Sequence, residues 1–210
     1  MQLLIGNKNY SSWSLRPWLV MKQAGIAFEE TLVPLYQGDS KEQILRISPS
    51  GKVPALVDGD LVVWDSLAIV EYLAEKFPGR GIWPADPAAR AVARSVSAEM
   101  HAGFTQLRTH LSMDIRGRKT ARIDAATQAE IDRICAIWTD CRNHFGENGP
   151  FLFGAFSAAD AFYAPVVTRF VTYGVEVPDS ARQYMATVLA LPAMQQWIAN
   201  GAAEPWSLSF

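Results

Sequence analysis

The sequence predicts two domains of different class, a small α/β domain with a mixed sheet followed by an all-α domain. Strand and helix signals alternate as far as Phe77. A stretch rich in Gly, Pro and Arg follows from Pro78 to Pro87, and beyond it the strand signals give way to helical periodicity. We therefore expect the first domain at residues 1–79 and the second at residues 87–210.

Composition indicates an ordinary globular protein. The chain has 210 residues, a formal net charge of -2, 50% hydrophobic residues and 19% charged residues. The opening residues hold only a short apolar run, and no later run reaches about 18 apolar residues, so we expect no secretory signal, no membrane span and a cytoplasmic location. The basic stretch from Arg116 to Arg122 is interpreted as a solvated loop. We expect no nucleic-acid partner.

The first domain opens with a strand, a turn and a helix. Leu3 to Ile5 form a short buried strand, and a polar loop leads into a helix that runs to about Ala24. Weak alternation from Phe28 to Pro34 predicts a second strand. A short helix from Lys41 to Ile47 then ends at a Ser-Pro-Ser-Gly turn.

A hairpin and a third helix complete this domain. Pro54 to Val57 and Leu61 to Trp64 are apolar runs joined by Asp58-Gly59-Asp60, whose Asp-Gly pair favours a tight turn. A helix from Asp65 or Ser66 to about Phe77 follows. The order β-α-β-α-β-β-α combines a parallel crossover with an antiparallel hairpin. This is the thioredoxin-like pattern.

The sequence predicts only helices in the second domain. From Pro87 to Ile115 the apolar residues recur every three or four positions, which predicts one long amphipathic helix capped by Asp86. The segment Ser157-Ala158-Ala159-Asp160 has the spacing of a capping box. Further helices are expected at about residues 124–145, 158–173, 180–189 and 192–200.

Neither the cysteines nor the histidines indicate a reactive or metal site. Cys135 and Cys141 are separated by a helical rise of about 9 Å, beyond the roughly 7 Å limit for bridged Cα atoms. We expect them to be buried small hydrophobes. His101 and His110 fall out of phase on the predicted long helix, so they form no metal pair.

The first candidate site is the serine-rich segment Tyr10-Ser11-Ser12-Trp13-Ser14 at the start of the first helix. The partial positive charge of a helix N-terminus favours an anion, and a thiolate is such an anion. This position lacks a Cys-x-x-Cys pair, so the thiol would have to arrive with a ligand. Alternatively, the serines only cap the helix.

Two further segments are candidates for binding a peptide-like ligand. Pro54 at a strand start leaves the backbone of Val53 free to pair with something else. Asp65-Ser66 at a helix start could clamp the ammonium and carboxylate of an amino acid. The alternatives are an ordinary turn and an ordinary helix cap.

Together the three segments resemble the cytosolic glutathione S-transferase family, over essentially the whole chain. Ser11 to Arg16 is similar to the serine-type helix start of the zeta, tau and related classes. Lys52 to Leu56 resembles the family's cis-proline loop, and Asp65 to Ile69 resembles its Glu/Gln-Ser-x-Ala-Ile motif. The resemblance implies a bacterial-type, cytoplasmic enzyme of detoxification that uses glutathione as co-substrate and no metal.

The resemblance also implies how the sulfur is held. Ser11 would donate a hydrogen bond to the glutathione sulfur, with Ser12 as the alternative donor. The zeta-type motif is similar to Ser-Ser-Cys-Ser, and here Trp13 stands at the cysteine position. This departure weakens an assignment as maleylacetoacetate isomerase.

The rest of the tripeptide would be held by the other two segments. The resemblance implies that Val53 pairs its backbone with the cysteinyl part beside a cis-Pro54. Asp65 and Ser66 would hold the γ-glutamyl end, and Lys52 the glycyl or backbone groups.

A pocket for a small hydrophobic electrophile must lie beside the sulfur, and the helical domain would supply its other wall. The candidate lining residues are Trp13, His101, Phe104 and Trp206, the last in a tail that could fold over the cleft. The resemblance implies a homodimer. Alternatives to a transferase of alkyl or aryl groups are a glutathione-dependent isomerase or peroxidase, or a non-catalytic binding module similar to stringent-starvation proteins.

Overall fold

A computed structural model describes residues 1–208 and shows the predicted mixed sheet. The strand order is β2-β1-β3-β4, with β1 parallel to β2 and antiparallel to β3, which in turn is antiparallel to β4. The β3–β4 turn contains Gly59 at φ +62°, a left-handed conformation that glycine adopts at no steric cost. The strands are β1 (Gln2–Ile5), β2 (Glu29–Leu32), β3 (Ala55–Asp58) and β4 (Leu61–Trp64).

Three helices pack with this sheet. They are α1 (Ser12–Gln23), α2 (Ser40–Leu45) and α3 (Ser66–Lys76), and a 3-10 turn follows at Pro78–Arg80. Helix α1 contacts β1 and α3 on one side and two helices of the second domain on the other. Its residues are therefore buried almost all round, and its N-terminus lies where the two domains meet.

In the second part of the chain, the regular elements among the described residues are helices, with two isolated β-bridges within residues 151–155. Its helices are α4 (Pro87–Ala102), α5 (Thr105–His110), α6 (Ala125–Phe145), α7 (Ala158–Tyr173), α8 (Asp179–Ala190) and α9 (Pro192–Ala203). The predicted cap of α4 is present, since Asp86 accepts from the Ala89 amide at 2.8 Å. Asp124 caps α6 in the same way, accepting from the Thr127 amide at 2.8 Å. Within residues 1–208, no helix is long and apolar enough to cross a membrane.

The prediction of one long helix from Pro87 to Ile115 was wrong. Helix α4 ends at Ala102, and Phe104 takes a left-handed conformation with φ +57° before α5 begins. The guanidinium of Arg108 donates to the carbonyls of Met100, His101 and Gly103, so it satisfies the open C-terminal end of α4. Both segments pack on the same core, which is why the apolar periodicity continues across the break.

Helix α7 forms the centre of the helical core. It contacts α1, α4 and α8. The rings of Tyr163 and Phe170 pack on Trp138 of α6 at centroid distances of 5.9 and 5.7 Å. The cysteines are buried as expected, and burial raises the pKa of Cys135 to about 11 and that of Cys141 to about 12. Neither is a thiolate at neutral pH.

Candidate active site

Sheet topology brings the three candidate segments to one edge. Strand β4 runs parallel to β1 because each is antiparallel to β3. The carboxyl ends of β1 and β4 and the amino end of β3 therefore share one edge of the sheet. Ser11 follows β1, Pro54 precedes β3 and Asp65 follows β4, so the segments that the sequence singled out lie together.

Ser11 is the N-cap of α1, and its hydroxyl takes part in a buried hydrogen-bond chain. Its oxygen accepts from the Ser14 amide at 3.4 Å, and its hydroxyl donates to the Ser14 hydroxyl at 2.7 Å. The Ser14 oxygen also accepts from the Gly6 amide at 3.1 Å. The first turn of α1 contains no acidic residue, so the positive end of the helix is not neutralised there.

Ser12 differs from Ser11 in its bonding. It is the first residue of α1 and is also buried. Among the described residues, however, no hydrogen bond involves its hydroxyl. The cap interpretation thus applies to Ser11, whereas the Ser12 hydroxyl has a hydrogen to offer a ligand.

The loop before β3 presents unused backbone groups. The Val53–Pro54 peptide bond is cis. Within residues 1–208, no hydrogen bond uses the N–H or C=O of Val53. The amide of Lys52 donates to the Ser50 hydroxyl at 3.1 Å, and the Lys52 side chain is exposed. This loop can therefore pair with an extended peptide backbone.

Asp65 holds the N-terminus of α3 in an uncommon backbone conformation. Its φ is +74°, which costs a non-glycine residue roughly 1–3 kcal/mol. One carboxylate oxygen accepts from the amides of Leu67 and Ala68 at 2.8 and 3.5 Å. The other lies 3.3 Å from Nε2 of His101, a residue of α4. Strain of this kind is characteristic of functional sites.

A cationic and aromatic cluster adjoins these segments. The His101 ring packs edge-on against Trp13 at 5.1 Å. The guanidinium groups of Arg16 and Arg108 lie 4.2 and 4.7 Å from the Trp13 ring centroid. Arg16 also stacks on Phe162 at 4.9 Å. Two predicted lining residues, Trp13 and His101, are thus brought together from different domains.

Arg16 carries a buried positive charge. Its residue is 1% exposed, its Nε has no hydrogen-bond partner in the described part of the chain, and its Nη1 donates a long hydrogen bond of 3.5 Å to the Ser66 hydroxyl. No described carboxylate forms a salt bridge with it. Burial, and then the charges of Arg108 and Arg169, lower its pKa. An anionic ligand would relieve this imbalance.

The same environment keeps His101 neutral. Burial lowers the pKa of His101, and the charges of Arg16 and Arg108 lower it further, although Asp65 opposes them. His101 is therefore an uncharged imidazole at neutral pH.

Sequence reasoning assigned no role to Arg16 or Arg108. Arg16 follows Trp13 by three residues on α1, and this helical spacing was a usable signal. Arg108 reaches Trp13 only because α4 ends at Ala102, and the sequence pattern does not show that break.

The other two predicted lining residues are Phe104, which precedes α5, and Trp206, which follows α9. Phe104 is buried in the hydrophobic core. Trp206 lies in the C-terminal tail, where its carbonyl accepts from Arg116 at 2.6 Å. The predicted tail also includes Ser209 and Phe210, which lie outside the described residues. In the described part of the chain, no group of three His, Cys, Asp or Glu side chains could hold a metal ion.

Comparisons with known proteins match both parts of the chain. The pattern of the glutathione S-transferase N-terminal domain matches residues 10–76, and that of the C-terminal domain matches residues 90–200. Glutathione S-transferase Z2 of Arabidopsis thaliana is 30% identical, with 90% of this chain and 88% of that protein covered. A stringent starvation protein A homolog of Pasteurella multocida is 28% identical, with 90% and 86% covered.

Solved structures agree with these matches. Maleylacetoacetate isomerase from Methylobacterium extorquens AM1, with bound malonate and glutathione, superposes with a TM-score of 0.72 at 28% identity and covers 98% of each chain. The sheet and helices described above are those of this fold. The chain belongs to the glutathione S-transferase family.

Proposed function

We propose that this protein binds glutathione at the shared sheet edge and stabilises its thiolate with a serine hydroxyl for attack on small hydrophobic electrophiles. The observation that carries the proposal is the pair Ser11 and Ser12, two buried hydroxyls at the unneutralised N-terminus of α1. A helix N-terminus and a hydroxyl donor both favour a thiolate over a thiol.

Ser11 can become the sulfur donor without moving its oxygen. Hydroxyl hydrogens rotate freely between partners. When a thiolate arrives, Ser11 turns its hydrogen to the sulfur, and Ser14 donates across the same 2.7 Å contact in the reverse direction. Ser12 is the second donor, since its hydroxyl has no competing partner among the described residues.

The required stabilisation is modest. A thiol with a pKa of about 8.5 is about 3% ionised at pH 7, and lowering that pKa by about two units gives about three quarters thiolate for about 2.7 kcal/mol. A less basic thiolate is also a weaker nucleophile, with a Brønsted coefficient of about 0.4–0.5, so the net gain in rate is only a few-fold. Most of the rate enhancement must come from holding the electrophile against the sulfur.

The rest of the tripeptide is held by the Val53–Pro54 loop and by Asp65-Ser66. The free backbone of Val53, beside Pro54, pairs with the cysteinyl part. The Asp65 carboxylate takes the γ-glutamyl ammonium, and Ser66 takes the γ-glutamyl carboxylate. Lys52 is exposed at the loop and interacts with the glycyl end.

The electrophile lies between a glutathione-binding domain of residues 1–79 and a helical domain of residues 87–210. Trp13 and His101 form a wall of the electrophile pocket, and the contact between their rings supports this placement. Phe104 supports the wall from the core, and Trp206 closes it from the tail. Two copies of the chain associate in the cytoplasm as a homodimer, through α4 and the region of α3.

A glutathione-dependent isomerase is the second candidate, and it is favoured by the guanidinium of Arg16, which forms no salt bridge with a described carboxylate. A substrate with a carboxylate would neutralise the charge of Arg16 and Arg108. The thiolate would add to a conjugated double bond, the resulting single bond would rotate, and elimination of the thiolate would restore both the double bond and glutathione. The related isomerase, whose structure contains malonate and glutathione, supports this candidate.

Calorimetric titration with glutathione, followed by turnover of a panel of electrophiles, tests the proposal. The panel contains haloarenes, peroxides and cis-alkenes, each with and without a carboxylate. We expect binding by the unsubstituted protein, by Ser11→Ala and by Ser12→Ala, with turnover reduced most in Ser11→Ala. Absence of glutathione binding would contradict the proposal. Binding without turnover of any substrate would indicate a non-catalytic module.

A further inference from the structure

The loop that carries the candidate serines is held by the far end of the chain. Residues 7–10 lie between β1 and α1 and lead directly into Ser11. The Glu204 carboxylate, 8% exposed as a residue, accepts from the Lys8 amide at 2.6 Å and from the Asn9 amide at 3.1 Å. A single carboxylate thus binds two consecutive amides just ahead of the serines.

Arg116 joins the same loop to the tail. Its amide donates to the Asn9 side chain at 2.9 Å. Its guanidinium donates to the Tyr10 hydroxyl at 3.1 Å and to the carbonyls of Glu204 and Trp206, both at 2.6 Å. The Leu208 amide also donates to the Tyr10 hydroxyl, at 3.0 Å.

Helix α9 approaches the loop so closely that no side chain would fit between them. A Cβ atom on Gly201 would lie 3.0 Å from the Asn9 nitrogen and 3.1 Å from the Lys8 carbonyl carbon. The Trp197 indole donates to the Lys8 carbonyl at 2.9 Å. The loop backbone therefore rests directly on the last helix.

The tail makes few other polar contacts. Apart from the bond at the end of α9, the hydrogen bonds of residues 204–208 in the described structure all go to Lys8, Asn9, Tyr10 or Arg116. The hydrogen bonds of the tail are thus directed at this loop and at Arg116, which itself donates to Asn9 and Tyr10. Within the loop, the amides of Tyr10 and Ser11 donate to the Asn7 carbonyl at 3.1 and 2.8 Å. The backbone hydrogen bond that holds Ser11 is therefore local.

We infer that Glu204 is a positioning residue, which fixes the Ser11 hydroxyl at the glutathione sulfur by holding the Lys8 and Asn9 amides. The inference rests on the proposed function. A shift of a few tenths of an ångström in the loop weakens a hydrogen bond to sulfur, while Val53, Asp65 and Ser66 hold the tripeptide from other segments. Loss of Glu204 should therefore raise the pKa of the bound thiol without loosening the peptide.

The test compares the protein with Glu204→Gln, which keeps one acceptor oxygen but sets an NH2 group against the second amide. Glu176→Gln, at an exposed glutamate of the same domain, is the matched control, and Glu204→Asp tests rescue. The ionisation of bound glutathione is followed by thiolate absorbance against pH. Affinity for S-methylglutathione, which has no ionisable thiol, reports peptide binding alone.

We expect Glu204→Gln to raise the bound-thiol pKa by about one unit, a tenfold change in the ionisation constant. Affinity for S-methylglutathione should stay within about twofold, because Val53, Asp65 and Ser66 hold the tripeptide. A twofold change corresponds to less than 1 kcal/mol. Glu176→Gln should match the unsubstituted protein, and Glu204→Asp should fall between. A chain ending at Ala203 should show at least as large a rise. Glu204→Asp, which keeps the carboxylate, provides the test if Glu204→Gln does not fold.

Two results would overturn the positioning role. One is an unchanged thiol pKa in Glu204→Gln. The other is a parallel loss of S-methylglutathione affinity, since Glu204 would then hold the whole site. An ordinary thiol pKa in the unsubstituted protein would instead remove the proposed function itself, and the two failures are thereby distinguished.

Discussion

Nε2 of His101 lies 3.3 Å from a carboxylate oxygen of Asp65. The contact joins α4 of the helical domain to the first turn of α3, at the position proposed for the γ-glutamyl ammonium. Asp65 thus has one oxygen committed to capping α3 and the other beside a histidine, where the proposed ligand's ammonium would also bind.

Asp65→Asn should separate the two roles of this side chain. The amide oxygen still caps α3, but the negative charge that would bind the ammonium is gone. We expect glutathione affinity to fall about tenfold, or about 1.4 kcal/mol, with the midpoint of unfolding nearly unchanged. Asp65→Ala should lose affinity to the same extent and also about 1 kcal/mol of stability. Calorimetry and urea unfolding measure the two effects, and equal stability loss in both variants would contradict the division.

Glutathione binding should weaken at acidic pH through His101. The pKa of His101 is lowered by burial, so the imidazole becomes charged only below its ordinary value of about 6.5. The charged ring then pairs with Asp65 and competes with the ligand's ammonium, while Arg16 and Arg108 oppose the charge. We expect the KM for glutathione to rise as pH falls through this range. The rise should be absent in His101→Gln, and an identical pH profile in that variant would rule out His101 as the cause.

Arg16→Met should stabilise the protein or leave its stability unchanged. The substitution removes a buried charge that has no carboxylate partner within residues 1–208 and keeps an unbranched side chain between Trp13 and Phe162. Replacing a buried charge by an apolar side chain of similar size is often neutral or stabilising by about 1–4 kcal/mol. If Arg16 serves an anionic substrate, the variant should lose its preference for carboxylate-bearing members of the electrophile panel. Destabilisation by more than about 1 kcal/mol would show that Arg16 has a structural role instead.

Asp160→Ala should lower the free energy of unfolding far more than the loss of an exposed helix cap does. The buried Asp160 carboxylate accepts from the amides of Leu152 and Ser157 and from the hydroxyls of Ser157 and Tyr184. Its removal leaves buried donors without acceptors, and we expect a loss of about 3–5 kcal/mol in the free energy of unfolding. Asp86→Ala, the matched control at an exposed helix start, should cost only about 1 kcal/mol. Similar losses in both variants would contradict this account.

Local signals in the sequence predicted much of the fold. The Asp-Gly turn predicted the β3–β4 hairpin, and the capping box of Ser157 and Asp160 is present at the start of α7. These features depend on residues close together in the chain, so spacing alone identifies them. The break after Ala102 was missed because both flanking segments bury apolar residues with the same period.

Only the parts of the candidate site whose residues lie close together in the sequence could be predicted. The serine segment, the Val53–Pro54 loop and Asp65-Ser66 each adjoin a strand end, and a small sheet brings such ends together. Arg108 and Glu204 reach the site from the helical domain through tertiary contacts without a local pattern. No periodicity links Glu204 to the Lys8 amide, because that contact depends on how α9 packs against the first loop.

The central claim is that a serine at the N-terminus of α1 ionises the glutathione thiol, and an ultraviolet titration of bound glutathione tests it most directly. The unsubstituted protein should lower the thiol pKa by about two units from its ordinary value of about 8.5. In Ser11→Ala the pKa should return most of the way to that value, and in Ser12→Ala by a smaller amount. A thiol that titrates near its ordinary pKa in the unsubstituted protein, or a lowered pKa that survives both substitutions, would contradict the account.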